Sequence, residues 1–101
     1  MKYVNILSMI KSFQDKETEN IFNRYFSNKL PQNIQKIARK KLIILDAVTE
    51  IEDLRVPPGN RLEALKGNRK GQHSIRINDQ WRICFTWKEG DSYNVEIIDY
   101  H

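Results

Sequence analysis

Cysteine is almost missing from this chain of 101 residues, because Cys84 is the only one. A single thiol cannot close an internal disulfide, so the fold must depend on its own hydrophobic core, and a free thiol fits a reducing compartment. Long apolar runs are missing too: the longest, at residues 42–45, is far too short to span a bilayer. The first residues, MKYVNILS, form no secretory signal. We therefore predict a cytoplasmic protein without a membrane segment.

Metal-ligating residues are equally scarce. The chain has two histidines, His73 and His101, and they lie far apart in the sequence from each other and from Cys84. This scatter does not match a metal site, and the chain has no phosphate-loop, dinucleotide-binding or nucleophile-elbow motif. We therefore expect no metal and no cofactor. The length is that of one domain with one core.

Positive charge is present, and it is concentrated in two segments. Residues 29–41 include five basic side chains and no acidic one, and in residues 55–76 six basic side chains accompany the single Glu63. The stretch between them, residues 46–53, carries only acidic charges. Two basic segments favour a polyanionic partner, because each Lys or Arg that reaches a phosphate releases counterions. For the first segment, a solvated lysine-rich surface explains the composition equally well.

The first half of the chain predicts two helices after a short strand at residues 9–13. Asp15 is suited to cap a first helix from Lys16 to Phe26, in which apolar residues recur at helical spacing. Pro31 fits the start of a second helix. Its predicted buried stripe consists of Ile34, Ile37, Ala38, Leu42, Leu45 and Val48. Its opposite face is basic and carries Lys36, Arg39 and Lys40.

The second half changes to the alternating period of β-strands. A loop at residues 56–60 precedes a short strand at 62–65, and longer strands follow at 74–78, 81–87 and 93–100. Two helices followed by an antiparallel meander predict an α+β fold with both helices packed on one sheet face. The apolar side chains that must face the helices are Trp81, Ile83, Phe85 and Trp87. The opposite face then carries Ser74, Arg76, Arg82, Cys84 and Thr86.

Arginines in central strands are unusual, so that opposite face is either simply solvated or a binding surface. The stretch before it, residues 65–71, combines glycines that tolerate positive φ with three cations, Lys66, Arg69 and Lys70. Taken alone, this is a basic surface turn. Placed beside Arg76 and Arg82, it becomes a candidate cradle for a phosphate-rich strand. We do not expect the charge of Arg82 to serve packing.

The chain ends in Asp99, Tyr100 and His101, directly after the last strand. RNA can be cleaved without a metal when its own 2′-hydroxyl attacks the phosphate, a reaction that needs a base, an acid and cations. Histidine titrates near neutrality and can carry either proton. An aspartate can orient it, and a tyrosine can stack on a base or donate a proton. On the residues alone, a terminal histidine without a role remains the favoured interpretation.

Four strings of residues, taken together, change this interpretation of the terminal histidine. They are RLEALKGNRKG at 61–71, SIRIN at 74–78, WRICF at 81–85 and EIIDYH at 96–101. In this order they resemble HigB toxins of the RelE/ParE superfamily of bacterial type II toxin–antitoxin systems, in the branch of plasmid maintenance killer proteins. The resemblance covers Met9 to His101. Because relatives often begin at a methionine matching Met9, we expect a single RelE-like domain with residues 1–8 as an N-terminal extension.

The resemblance implies a ribosome-dependent messenger RNA endonuclease that inhibits translation. Its partners would be a HigA-like helix-turn-helix antitoxin, the ribosome and mRNA, with DNA contacted only through the antitoxin complex and no membrane partner. The implied catalytic residues are Arg82, Asp99, Tyr100 and His101. The implied substrate-binding residues are Lys66, Arg69, Lys70 and Arg76. At Glu63 the chain departs from the family pattern, since some relatives have histidine there; Glu63 is either a possible base or has no role.

Two alternative functions remain: a ParE-like inhibitor of DNA gyrase without catalysis, which shares the superfamily fold, and a non-catalytic RNA-binding domain that uses the same basic face. The terminal Asp-Tyr-His triplet argues against the gyrase inhibitor. Since only His101 is a convincing titrating group near neutrality, we expect poor cleavage of naked RNA. The basic helix face and the catalytic face are separate, so we expect the antitoxin to bind away from the active residues and block ribosome entry sterically.

Overall fold

The computed structural model describes residues 9–99; residues 1–8, Tyr100 and His101 lie outside the described part. Two helices precede four strands, and short 3₁₀ turns lie between the second helix and the sheet. The elements are α1 (Lys16–Phe22), α2 (Gln32–Ala47), β1 (Glu63–Ala64), β2 (Gln72–Arg76), β3 (Trp81–Lys88) and β4 (Asp91–Asp99). The strands form one antiparallel sheet in the order β1-β2-β3-β4. The predicted α+β class and the meander are confirmed.

Helix α1 begins as predicted and ends earlier. The Asp15 side chain accepts a hydrogen bond from the Thr18 backbone N–H at 2.7 Å, which confirms the N-cap. The helix stops at Phe22, and Arg24 adopts a positive φ of 71°. The prediction that it extends to Phe26 was wrong. Apolar residues at helical spacing are compatible with a longer helix, but this spacing does not require that Tyr25 and Phe26 be buried. Tyr25 and Phe26 are instead 65% and 61% exposed.

Helix α2 buries most of its predicted stripe. Ile34, Ala38, Leu42 and Leu45 are buried. Ile37 is 42% exposed, so its assignment to the core was wrong. It lies at the margin of the stripe, where the curved surface of a helix turns away from the sheet. Val48 is the C-cap directly after the helix, and it packs against the core only in part.

The segment before α1 closes the outer edge of the sheet. The predicted strand at residues 9–13 is reduced to two isolated parallel bridges with β4, Ile10 to Ser92 and Phe13 to Val95. Beyond these bridges, the Ile97 backbone N–H donates to Thr18 Oγ1 at 2.9 Å. Residues 9–18 therefore satisfy polar groups of β4 that would otherwise form an open strand edge.

One face of the sheet forms the core with the two helices. The buried residues on this face are Ile75, Ile83, Phe85, Val95 and Ile97 in the strands and Ile77 directly after β2. Trp81 and Trp87 pack against them in part, which agrees with their assignment to the apolar face. The other face of the sheet carries mostly polar side chains. Within residues 9–99, no helix has the length and hydrophobicity needed to cross a membrane.

Thr18→Val tests how far the fold depends on the contact between α1 and β4. Valine has nearly the same shape but cannot accept the hydrogen bond, so the Ile97 N–H would be left buried and unpaired. We expect the free energy of unfolding to fall by about 1–3 kcal/mol, measured by urea denaturation. Thr49→Val, at an exposed position, is the matched control and should have no comparable effect. Equal stability of the two variants would contradict this role of Thr18.

Candidate active site

A row of polar side chains crosses the sheet on the face away from the helices. Glu63 pairs with Ser74, Ser74 with Cys84, and Cys84 with Glu96. Directly opposite residues of antiparallel strands point to the same face, so these four share one surface. Ser74 and Cys84 are fully buried in the middle, and the two carboxylates lie toward the ends.

Arg82 lies beside this row, opposite Arg76 of β2. It is only 9% exposed. Its Nε donates to Ser74 Oγ at 2.7 Å, and its Nη2 donates to the backbone carbonyl of Arg61 at 2.6 Å. The expectation that this charge does not serve packing was wrong: the guanidinium connects β3 to β2 and to the segment that leads into β1.

Arg69 reaches the same face from the loop between β1 and β2. This loop depends on Gly67 and Gly71, which adopt φ values of +63° and +95° that other residues rarely tolerate. The Arg69 Nη1 donates to Gln72 Oε1 and to Glu96 Oε1, both at 2.9 Å. The Arg69 side chain therefore reaches from the loop across the sheet to β4.

The same charged side chains influence the pKa of Cys84. Burial raises the pKa of the Cys84 thiol to about 11, and the cations Arg69 and Arg82 oppose this shift while Glu96 and Glu63 add to it. The thiol therefore stays protonated at neutral pH and does not serve as a nucleophile. All four charged side chains act on the same buried sulfur, so they form a single electrostatic environment.

The other predicted cations lie around this centre. Lys66 and Lys70 are exposed at the two ends of the 3₁₀ turn at residues 67–69. Lys66 lines a cavity of about 450 Å³ together with Glu63, Ala64 and Leu65. Arg76 forms an ion pair with the highly exposed Asp79, which balances part of its charge. The structure thus brings Glu63 and Lys66 together, and it places Arg76 directly opposite Arg82.

Asp99 does not join the row. It is the cross-strand partner of Trp81, so it starts from the side of the sheet that faces the helices. The Gln80 side-chain amide donates to Asp99 Oδ2 at 3.0 Å. Tyr100 and His101, the other two members of the terminal triplet, lie outside the described residues.

His73 lies on the helix-facing side, stacked on Phe85 with ring centroids 6.3 Å apart. Burial lowers its pKa, with a smaller rise from Glu52 and a smaller reduction from Arg55. This placement fits a structural role. Among residues 9–99, no three His, Cys, Asp or Glu side chains are grouped so as to hold a metal ion.

Sequence reasoning missed two members of this site, Ser74 as the partner of Arg82 and Glu96 as the partner of Arg69. The alternating pattern predicts the correct face for Ser74 but no role for it. Glu96 enters the sequence analysis only as part of the string EIIDYH. The usable signal was the strand register, since pairing Ser74 with Cys84 and Cys84 with Glu96 aligns them in one row.

Comparison with known proteins agrees with this architecture. Residues 11–101 match the family model described as the RelE-like toxin HigB of a type II toxin–antitoxin system. Toxin HigB-1 of Vibrio cholerae is 44% identical over 85% of this chain and 92% of its own. Endoribonuclease HigB of Proteus vulgaris is 36% identical over 92% of this chain and its entire own length. The YoeB dimer structure from Staphylococcus aureus, at 19% identity, shows the same fold with a TM-score of 0.55, covering 92% of this chain and 98% of that one.

Arg82→Ala tests the structural part of the role of this arginine. Without the guanidinium, the buried Ser74 hydroxyl and the Arg61 carbonyl lose a charged donor, which should lower the free energy of unfolding by about 2 kcal/mol. Arg55→Ala is the control, because Arg55 forms only an exposed pair with Glu52 and should leave stability unchanged. An unaltered urea midpoint for Arg82→Ala would show that Arg82 is dispensable for the fold.

Proposed function

Because the chain belongs to the HigB-like family of RelE-like toxins from type II toxin–antitoxin systems, we propose that it is an endoribonuclease that cleaves messenger RNA on the ribosome. The family also implies an antitoxin partner. The observation that carries the proposal is the convergence of Arg69 and Arg82 on one sheet face, next to a cavity lined by Lys66. The Proteus vulgaris relative is named an endoribonuclease, which supports the same reaction.

The proposed reaction is attack by the RNA 2′-hydroxyl on the adjacent phosphorus. The O2′–P bond forms, the P–O5′ bond breaks, and the products are a 2′,3′-cyclic phosphate and a 5′-hydroxyl. One protein group takes the proton of the 2′-hydroxyl, and another gives a proton to the departing O5′. The phosphorane carries extra negative charge in the transition state, so pre-positioned cations accelerate the step.

Each predicted cation has its own role in the proposed cleavage reaction. Arg82 is held by Ser74 and Arg61, so its charge is fixed before the substrate arrives, as electrostatic catalysis requires. Arg69 would contact the same phosphate from the loop side. The remaining substrate-binding cations would follow the RNA backbone on either side; they are Lys66, Lys70 and Arg76.

The proton carriers come from the family resemblance. His101 would transfer a proton, with Tyr100 as its partner. Asp99, the third member of the implied catalytic group, starts from the helix-facing side of the sheet, so we give it no contact with the phosphate. Glu63, exposed at the cavity beside Lys66, is a second possible base. Because His101 is the one member of this set that ordinarily titrates near neutrality, we propose that the ribosome supplies substrate geometry that the protein alone does not.

Reaction products test this proposal directly. Purified protein is added to ribosomes that hold mRNA in the A site, and the new ends are identified chemically. We expect a 5′-hydroxyl and a cyclic phosphate at the cut, little cutting of the same mRNA without ribosomes, and no cutting when the attacking nucleotide carries a 2′-deoxy sugar. Cleavage of the deoxy substrate would disprove 2′-hydroxyl attack. Intact transcripts together with DNA damage in cells would indicate a gyrase inhibitor instead.

For the antitoxin we propose a HigA-like helix-turn-helix protein that docks on the helical side. A groove of about 480 Å³ lies there, lined by Ile21, Arg24, Tyr25, Phe26, Gln35, Lys36 and Arg39. Exposed aromatic rings beside cations are typical of protein interfaces. Helices α1 and α2 pack on the core face of the sheet. This groove therefore lies on the opposite side of the sheet from the face that carries Arg69 and Arg82, which we call the cationic face. An antitoxin in this groove would leave Arg69 and Arg82 uncovered and act by blocking ribosome entry.

Calorimetry against the antitoxin distinguishes the two faces. Phe26→Ala removes a large exposed ring and should weaken antitoxin binding by at least about 2 kcal/mol, the scale of an interface hot spot. Lys66→Ala with Lys70→Ala removes charge from the opposite face and should leave that affinity nearly unchanged. The reverse pattern would mean that the antitoxin covers the catalytic face.

A further inference from the structure

Glu96 has no role in the reaction described above, yet its carboxylate lies within the cationic face. It is opposite Cys84 in β4, and only 20% of its side chain is exposed. A carboxylate on a surface that binds phosphate opposes binding by charge repulsion. Any favourable effect of Glu96 on RNA must therefore come through a cation that it holds.

That cation is Arg69. Its Nη1 donates to Glu96 Oε1 of β4 and to Gln72 Oε1 at the start of β2, both at 2.9 Å. Strand β3 lies between these two strands. The guanidinium is therefore fixed on both sides of the strand that carries Arg82, although Arg69 itself comes from a loop.

We propose that Glu96 is a positioning residue, which holds the Arg69 guanidinium across β3 so that Arg69 and Arg82 present their charges to one phosphate. This inference rests on the proposed function, in which both arginines contact the RNA. The electrostatics of Cys84 support the placement, because Arg69, Arg82 and Glu96 all influence the same sulfur. Arg69 keeps 36% of its side chain exposed, so it remains accessible to a ligand while Glu96 is mostly covered.

A double-mutant cycle tests whether Glu96 acts through Arg69. Glu96→Gln keeps the size of the side chain and one accepting oxygen but removes the charge. We expect it to lower kcat/KM for ribosome-bound mRNA by roughly 10- to 100-fold, the scale of a small misplacement of a catalytic group. In an Arg69→Ala background, the same substitution should have no further effect. Glu89→Gln removes an equal charge from the β3–β4 turn and is the matched control.

Two results would overturn the proposal. A loss from Glu96→Gln that is equally large with and without Arg69 would show that Glu96 acts independently, either as a base or through the fold. No loss at all would show that Arg69 does not need the charge of Glu96 for its positioning. The pH–rate profile separates a base from a positioning residue, since positioning predicts a lower rate with an unchanged profile, whereas loss of a base removes one limb.

A measurement without catalysis keeps this inference distinct from the proposed function. In protein labelled with ¹⁵N-arginine, a held guanidinium rotates slowly, so we expect resolved Arg69 Nη signals that become averaged in Glu96→Gln. Averaged signals in the unaltered protein would contradict the ion pair itself. Failure of the unaltered protein to cleave ribosome-bound mRNA would instead contradict the proposed function, with the NMR result still standing.

Discussion

The antiparallel pairing of β3 with both β2 and β4 is the constraint on which the rest of the structure depends. Alternate residues of β3 point to opposite faces, so the pairing that buries Ile83 and Phe85 under the helices also places Arg82 and Cys84 on the other side. A slip by one residue would exchange the two sets and bury charge in the core. Core stability and the composition of the candidate site are therefore consequences of one register.

On the cationic face, the hydrogen bonds that stabilise the fold also orient the charges of the arginines. Arg82 is nearly buried and donates to Ser74 and Arg61, so its charge is already oriented without a ligand. Arg69 is oriented by Glu96 in a similar way, although it comes from a loop. Fixed charges of this kind are effective catalysts because no reorganisation is needed when negative charge develops.

In the proposed function, the two faces of the sheet serve two kinds of recognition. One face presents cations suited to phosphate. The other side is covered by α1 and α2, whose connection exposes Tyr25 and Phe26 beside basic residues. An antitoxin on the helical side would then control the protein without contacting the residues proposed to carry out the reaction.

Much of this protein could be predicted from local patterns. The Asp15 cap, most of the α2 stripe and the positions of the four strands follow from periodicity and turn residues, because these depend on neighbours along the chain. The basic loop at residues 65–71 and the alternation around Arg82 likewise indicate the face on which Arg69 and Arg82 lie. The early end of α1 could not be read this way, because burial of Tyr25 and Phe26 depends on what packs against them.

The sequence by itself determined the fold class, the family and the identity of the candidate cations, since these depend on residue type, order and spacing. Only the tertiary structure decided which charges meet. Glu96 is 27 residues from Arg69, and Ser74 is eight from Arg82. Such pairs form only when strand register and loop conformation bring their atoms within hydrogen-bond distance, and no local pattern specifies that. The structure also placed Asp99 beside Trp81 on the other side of the sheet, for the same reason.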